Sequence, residues 1–374
     1  MANTMQYETM LKNMIPIVAE SFPVLQAAYA EKENFNVPAG KGSPIIINRP
    51  NPNNFTVAAI TPAAYGSGEA SITSDPETLT LGQPVGVNFA PTDREVAQAA
   101  WEGIMSPTIM LGAQAIGKYV ASALADVAIV SSFRQVTKTA DAIYDLAALR
   151  DQMALNGINP NTATLALPSL LSFESNANVL SSQILNAGVG GYDLNTKLGR
   201  IAYDHSLLGK TFTDGTSDSL YQVKTGWAKG AFSGTLDTEG TGTMVKGDMF
   251  TIAGVTGQYV VTGTGITAHS QVLSFWPSLA GAAADNAVIT LVDTTAASLG
   301  LLIAPMGLAF ASRPLSVSAE AKGQTFFASA SDEASGISLN YEVRREFYQE
   351  RRQLSIMFAV AKGYPDAIVK YKIS

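Results

Sequence analysis

Apolar positions along this chain follow two periods, and the change from one to the other outlines its parts. Helical spacing comes first. Met10, Met14, Ile17 and Val18 mark residues 5–30 as one amphipathic helix, or as two joined at Pro16 and Pro23. A core helix and an extended arm packed on a neighbour both fit that stripe. A second helical run opens at Thr92-Asp93-Arg94-Glu95, a capping box with Thr92 as N-cap and Glu95 three residues on. Val96, Ala99, Ala100, Ile104, Ile109, Ala113, Ile116, Val120, Leu124 and Val127 continue it, and Ser106-Pro107 should kink or split it. Taken as one helix to about Ala128, it is on the order of 55 Å long, more than a compact domain requires. A third stripe, Ile143, Leu146, Leu149 and Met153, predicts a helix over 141–155, ended by Asn156-Gly157.

Elsewhere the period is two. Residues 36–91 are rich in Pro, Gly, Asn, Ser and Thr, with a strand-like run over 44–49. A second run places Leu79, Leu81, Val85, Val87 and Phe89 on one face, with Pro50 to Asn54 as a tip between the two. Such a segment reads as an extended two-stranded loop, and a lone hairpin is marginal in water. Its alternating face is expected to lie over an adjacent subunit, with Arg49 near the tip for a neighbouring carboxylate. Residues 162–168 form a buried-looking strand, followed by a short helix over 169–176. From about 207 to 292 the composition shifts to Gly, Thr, Ser and Asp with short strands, a small all-β domain. Within it Gly247, Asp248 and Gly254 are turn residues. The last stretch, 337–374, predicts long strands, with Leu339, Tyr341, Val343 and Phe347 alternating. Its mixed-sign run RREFYQERR reads as a solvated strand or turn, or as inter-subunit ion pairs through Arg344, Arg345, Glu350 and Arg351.

Composition narrows the setting. Charged residues make up 15% of the chain, against roughly 25% in ordinary soluble proteins. So little charge suits either a membrane or a surface covered by neighbours. The best membrane candidate, residues 293–313, is uncharged between its end residues but is divided by Gly300, Pro305 and Gly307, and a buried strand pair or helix–strand unit is the better reading. Identical neighbours remain. The N-terminus lacks the basic start and continuous apolar core of a secretory signal. The net charge of −7 and the absence of a basic stripe argue against tight nucleic-acid binding, though not against enclosing nucleic acid.

No motif supplies catalysis, and no catalytic, cofactor-binding or metal residue is assigned. There is no Cys, hence no disulfide framework and no thiolate metal site. Gly209-Lys210-Thr211 mimics the end of a phosphate-binding loop, but the required upstream glycine position holds Asp204. Residues 263–268 match G-x-G-x-x-A yet sit inside the Gly/Thr-rich block, away from any βαβ unit. The two histidines, His205 and His269, have no metal-type spacing to another strong ligand. No G-x-S-x-G elbow is present.

Three stretches carry a resemblance. Residues 244–255 read MVKGDMFTIAGV, residues 306–315 read MGLAFASRPL, and residues 354–371 read LSIMFAVAKGYPDAIVKY. Together they resemble the major capsid (coat) proteins of tailed phages that carry a small β-barrel inserted in a Hong Kong 97-type fold, most like the podovirus coat proteins. The resemblance implies an α+β architecture: an N-terminal arm (1–35), an extended β-hairpin loop (36–91), and a spine helix with the first part of an axial domain (92–207). An inserted all-β domain (208–292) and a return through the axial and peripheral domains (293–374) complete it. It further implies a structural subunit and no enzyme. Copies would assemble in the host cytoplasm, as hexamers and pentamers, into an icosahedral shell around double-stranded DNA. Scaffolding and portal proteins are implied partners, and a cement or decoration protein is left open. A β-rich surface-layer or other virion structural protein is the alternative; a surface-layer protein should carry an export signal.

Overall fold

The computed structural model describes residues 2–30, 37–50, 74–89, 107–139, 142–155, 157–168, 200–216, 221–237, 242–267, 271–292, 297–316, 325–346 and 349–373. Elements are numbered in chain order. Helix α1 (Ala2–Glu20) continues through Pro16, and α2 (Pro23–Ala27) starts on a proline whose missing N–H no helical bond requires. Leu11, Met14, Ile15 and Val18 stand at i, i+3, i+4 and i+7 and are at most 1% exposed. That stripe joins the main core of its own chain. The arm reading of residues 1–35 is therefore corrected over residues 11–25, whose apolar side chains are covered without a neighbour.

Helix α3 spans Pro107–Ser131. Its 25 residues make it roughly 37 Å long at 1.5 Å per residue. Its described residues start at Pro107, the position of the expected kink; the capping box and residues 90–106 lie outside the described residues. Ile109, Ala113, Ile116, Val120, Leu124 and Ala128 are buried along one side. Two glycines let neighbours come close. A Cβ on Gly112 would stand 2.5 Å from the Phe89 ring, and one on Gly117 would stand 2.8 Å from the Phe22 ring.

Two mixed sheets enclose this helical layer. In the first, β1 (Tyr29–Ala30), β15 (Leu308–Arg313), β18 (Gln349–Lys362), β17 (Ile337–Glu346) and β16 (Thr325–Asp332) lie in that order, and β4 (Val85–Phe89) also pairs with β18. The 14-residue β18 holds β17 along one edge and takes β4 and β15 in succession along the other. The second sheet runs β5 (Gln135–Thr137), β19 (Ile368–Ile373), β14 (Ala297–Ile303), β6 (Thr164–Leu167), β7 (Arg200–Tyr203), with β8 (Thr211–Phe212) also on β14. Helix α4 (Ala142–Ala154) covers its outer face through Leu146, Leu149 and Met153. The described part of residues 293–313 folds as β14 and β15, largely buried strands in separate sheets and not a membrane span.

A third, antiparallel sheet has the order β13 (Ile289–Leu291), β10 (Met249–Ile252), β11 (Val255–Val261), β12 (Val272–Trp276), β9 (Ser233–Thr235). It has its own core, in which the Phe250, Tyr259 and Trp227 rings surround Phe275 with centroids 5.5–5.8 Å away. Gly247 and Gly254 take φ of +99° and +79°, turn conformations that glycine adopts without a Cβ penalty. Strands β8 and β14 are paired at Phe212 and Ala297, so the chain leaves for this β block and returns from it at adjacent positions.

The 36–91 segment folds differently from expectation. A hairpin does form, β2 (Pro44–Pro50) against β3 (Ser74–Thr80), with its tip outside the described residues. The alternating face, however, is not left for a neighbour. Leu79 and Leu81 are 1% exposed, packed with Ala309, Ala311 and Met357, while Val87 and Phe89 pack on the main core. Val85 begins β4, which is a strand of the chain's own sheet. The reason is edge pairing: β18 extends past β15 and leaves backbone groups that β4 satisfies.

A Cβ at Gly86 would lie 2.5 Å from the Leu354 carbonyl oxygen and 2.8 Å from the Ser355 Cβ. Gly86→Val is therefore expected to lower unfolding stability by about 1–3 kcal/mol, read as a reduced urea midpoint by circular dichroism. An unchanged midpoint would mean that β4 does not sit on β18 in solution.

Candidate interaction surface

The residues singled out as contacts fall into two groups. Leu79, Leu81, Val85, Val87 and Phe89 are drawn into the chain's own sheets and cores, as described above. Arg49, Arg344, Arg345, Glu350 and Arg351 sit at strand ends. Strand register sets Arg49 opposite Asp75, Arg344 opposite Arg351, and Arg345 opposite Glu350. The side chains of Arg49, Arg345 and Glu350 lie outside the described residues. Arg344 is exposed, and its Nε donates to Glu342 Oε1 at 2.6 Å within the same strand. Arg351 is also exposed. Residues 344–346 and 349–352 thus stand at the far end of β17 and the start of β18, and the Arg344–Glu342 ion pair is intramolecular.

A surface missed by sequence reasoning lies on α3. Beyond the buried stripe, Met110, Leu111 and Tyr119 are 38%, 64% and 53% exposed. Leu111, Ala115 and Tyr119 are spaced i, i+4 and i+8, so they form a second apolar line beside Gln114, Lys118 and Asp126. Tyr119 meets the Phe358 ring edge-on at 6.1 Å, which carries the face onto β18. On the hairpin, Ile46 is 61% exposed. The signal was present in the helical periodicity, but the buried stripe masked it.

Three buried carboxylates tie distant segments together. Asp145 accepts from the Thr139 N–H at 3.0 Å, the Thr139 hydroxyl at 2.7 Å and the Tyr371 hydroxyl at 2.9 Å, fastening α4 to β19. Burial, then the hydrogen bond and charge of Asp145, push the Tyr371 hydroxyl well above the usual tyrosine range. Asp204 accepts from the N–H groups of Val24 and Ser206, each at 2.8 Å, and so caps the start of α2. The residue that broke the phosphate-loop pattern is a structural clasp. Asp248 accepts from Val245 N–H at 2.6 Å and Gly215 N–H at 3.1 Å. Burial raises its carboxyl above the usual range against those bonds and the charge of Lys370. Likewise burial raises Asp366 and lowers Arg134, each opposed by the other's charge.

No convergent polar site emerges from these groups. Among the described residues no group of three His, Asp or Glu side chains is placed to hold a metal. His205 is exposed beside the Tyr203 hydroxyl at 2.9 Å, and His269 lies outside the described residues. After β11, residues 262–267 run into a bridge between Ile266 and Met244 rather than a helix. An open cleft of about 520 Å³ between α2, β1 and the β14–β15 turn is lined by Leu25, Tyr29, Ile303, Met306 and Phe310, with Glu20 as its one charged side chain. This cleft and the outer line of α3 are apolar surfaces that a partner could cover.

No protein-family model matches the chain, and no curated protein does. Solved structures similar to it include the capsid of the cyanophage P-SCSP1u, at 12% identity over 93% of this chain and 86% of that one, with a TM-score of 0.43. The capsid of Ralstonia phage GP4 is 6% identical over 93% and 87% of the two chains, with a TM-score of 0.44. A virus-like particle from Pyrococcus furiosus is 8% identical over 98% of both, also with a TM-score of 0.44. At these identities and scores the likeness assigns neither an activity nor a partner to the chain.

The exposed Arg344–Glu342 pair tests which role the hairpin end has. Arg344→Ala is expected to change the unfolding stability of the free subunit by less than about 1 kcal/mol, since exposed pairs contribute little. Chemical denaturation measures this. A larger loss would make the pair a fold determinant and remove it as an inter-subunit candidate.

Proposed function

We propose that the chain is the structural subunit of a tailed-phage capsid, a protein whose work is geometric. The observation that carries this reading is the exposed apolar line of α3, Leu111 and Tyr119 above all, on a chain with only 15% charged residues. Apolar surface is worth roughly 25 cal/mol per Å² when covered. A subunit that leaves such a line in water, and has little charge with which to surround it, gains by tiling with copies of itself. Each contact can be weak, because closure of a shell raises the effective concentration of every further contact.

A membrane is the competing cover for α3, which by length and composition is apolar enough to cross one. Core helices share that property, and two features favour the lattice. One side of α3 is buried against α1, β18 and β4, and its open side carries Lys118 and Asp126 among the apolar residues.

In this reading the architecture is Hong Kong 97-type. The β2–β3 hairpin is the extended loop, α3 the spine of the peripheral domain, and the sheet around β14 and β19 the axial domain. The 208–292 block is the inserted β domain. Hexamers and pentamers would enclose double-stranded DNA without specific binding, assembled in the host cytoplasm with scaffolding and portal proteins. In this reading the strand-end residues Arg49, Arg344, Arg345, Glu350 and Arg351 contribute ion pairs between subunits in the assembled shell.

The test is expression with the scaffolding protein, followed by sedimentation velocity and negative-stain imaging. Closed shells are expected. Leu111→Asp should leave the subunit's unfolding stability within about 0.5 kcal/mol, as for an ordinary surface change, while reducing shell yield several-fold. A protein that stays monomeric beside its scaffold would end the capsid reading, and flat arrays would favour a surface layer.

A further inference from the structure

Where the β block meets the body, a lysine is buried. Lys370 stands on β19 between β5 and β14, and it is 2% exposed. Its Nζ donates to the Gly247 carbonyl at 3.3 Å and lies 5.1 Å from the centroid of the Phe212 ring. Gly247 belongs to the turn that leads into β10, and the packing there is tight. A Cβ on Gly247 would come within 2.9 Å of the Val130 Cα on α3 and 3.0 Å of the Phe212 ring. Three parts of the molecule therefore meet at the Gly247 turn to which Lys370 donates: the β block, the end of α3 and the sheet that holds β8 and β19.

Charges facing Lys370 come from each side. Asp248 arrives on the β-block turn, Asp214 on the strand exit after β8, and Lys372 lies two residues along its own strand. Phe212 and Val130 bring no charge. Asp248 is itself engaged by the N–H groups of Val245 and Gly215. An ammonium has three donors, and here the described residues give it one long hydrogen bond to a neutral carbonyl. A buried charge needs close pairing and full hydrogen bonding to offset its lost hydration. This one has neither in full.

We propose that Lys370 makes the seam between the β block and the body a proton-sensitive joint, in which opening the seam hydrates the ammonium and neutralising it tightens closure. The inference is independent of what the assembled protein encloses. Burial lowers Lys370 from 10.5 to about 8, against the attraction of Asp214 and Asp248. A hydrated lysine in an opened seam keeps the ordinary value, so between those two values the open form binds more protons. Closure is therefore favoured as pH rises through the window from about 8 to 10.5 and is weakest below it.

Hydrogen–deuterium exchange on the full chain, corrected for the intrinsic pH dependence of exchange, tests this. Seam amides at Gly215, Val245 and Gly247 should open about ten-fold or more often at pH 7 than at pH 9.5, given the window above. Lys370→Met should abolish that dependence and protect the seam at pH 7. Should that variant fail to fold, Lys370→Arg, charged at both pH values, should open frequently at both. Three results would overturn the proposal. They are equal opening of the wild-type seam at both pH values, a pH dependence that survives in Lys370→Met, or seam amides exchanging only in step with Val260 and Leu301 in the two sheet interiors.

Discussion

The burial of α3 is the constraint on which the rest of the fold depends. A 25-residue helix with one apolar side needs cover along its whole length, and several elements share that cover. Helices α1 and α2 and the turn between them cover part of it through Val18, Phe22 and Val24, and strands β4, β15 and β18 cover much of the remainder, with the 205–207 turn and β14 beside them. Small residues make this possible. Gly112 and Gly117 admit the Phe89 and Phe22 rings, and a run of alanines at 121, 125 and 128 keeps the helix surface close to its neighbours. The first sheet is organised around the same need. Its long central strand, β18, lies along α3 and recruits β4 from the 36–91 segment to complete the cover.

Packing alone leaves backbone donors at every place where one unit joins another. The buried carboxylates answer that requirement. Asp145, Asp204 and Asp248 each accept from main-chain N–H groups, and the first two also cross long sequence separations, to Tyr371 and Val24. An unsatisfied buried donor costs on the order of 1–3 kcal/mol, so each clasp selects one arrangement of its segments over alternatives. Lys370 is the exception in kind. It is a buried charge held loosely, at the joint where the β block leaves and rejoins the sheet.

These features describe a molecule that spends its polar groups on holding its own parts and leaves apolar surface outside. That division fits a subunit whose function lies in contacts with copies of itself. Among the described residues the buried carboxylates Asp145, Asp204 and Asp248 serve as anchors, and the exposed Arg344 and Lys118 stand on a strand end and a helix face.

Local pattern was enough for the elements whose burial is one-sided and continuous. The periodicities of α3 and α4, the β17 alternation of Leu339, Tyr341 and Val343, and the turns at Gly247 and Gly254 were all legible, because each depends on neighbours a few residues away. The alternation of Leu79, Leu81, Val85, Val87 and Phe89 was equally legible, yet its destination was not. A period of two says that one face is buried, and says nothing about whether the covering surface belongs to the same chain. That depended on β18 having an open edge and on α3 having a glycine beneath Phe89. The same limit hid the Asp248–Lys370 joint and the outer line of α3. The joint arises from residues brought together across the fold, and the outer line, though spaced along one helix, is exposed only because the tertiary structure covers the other side.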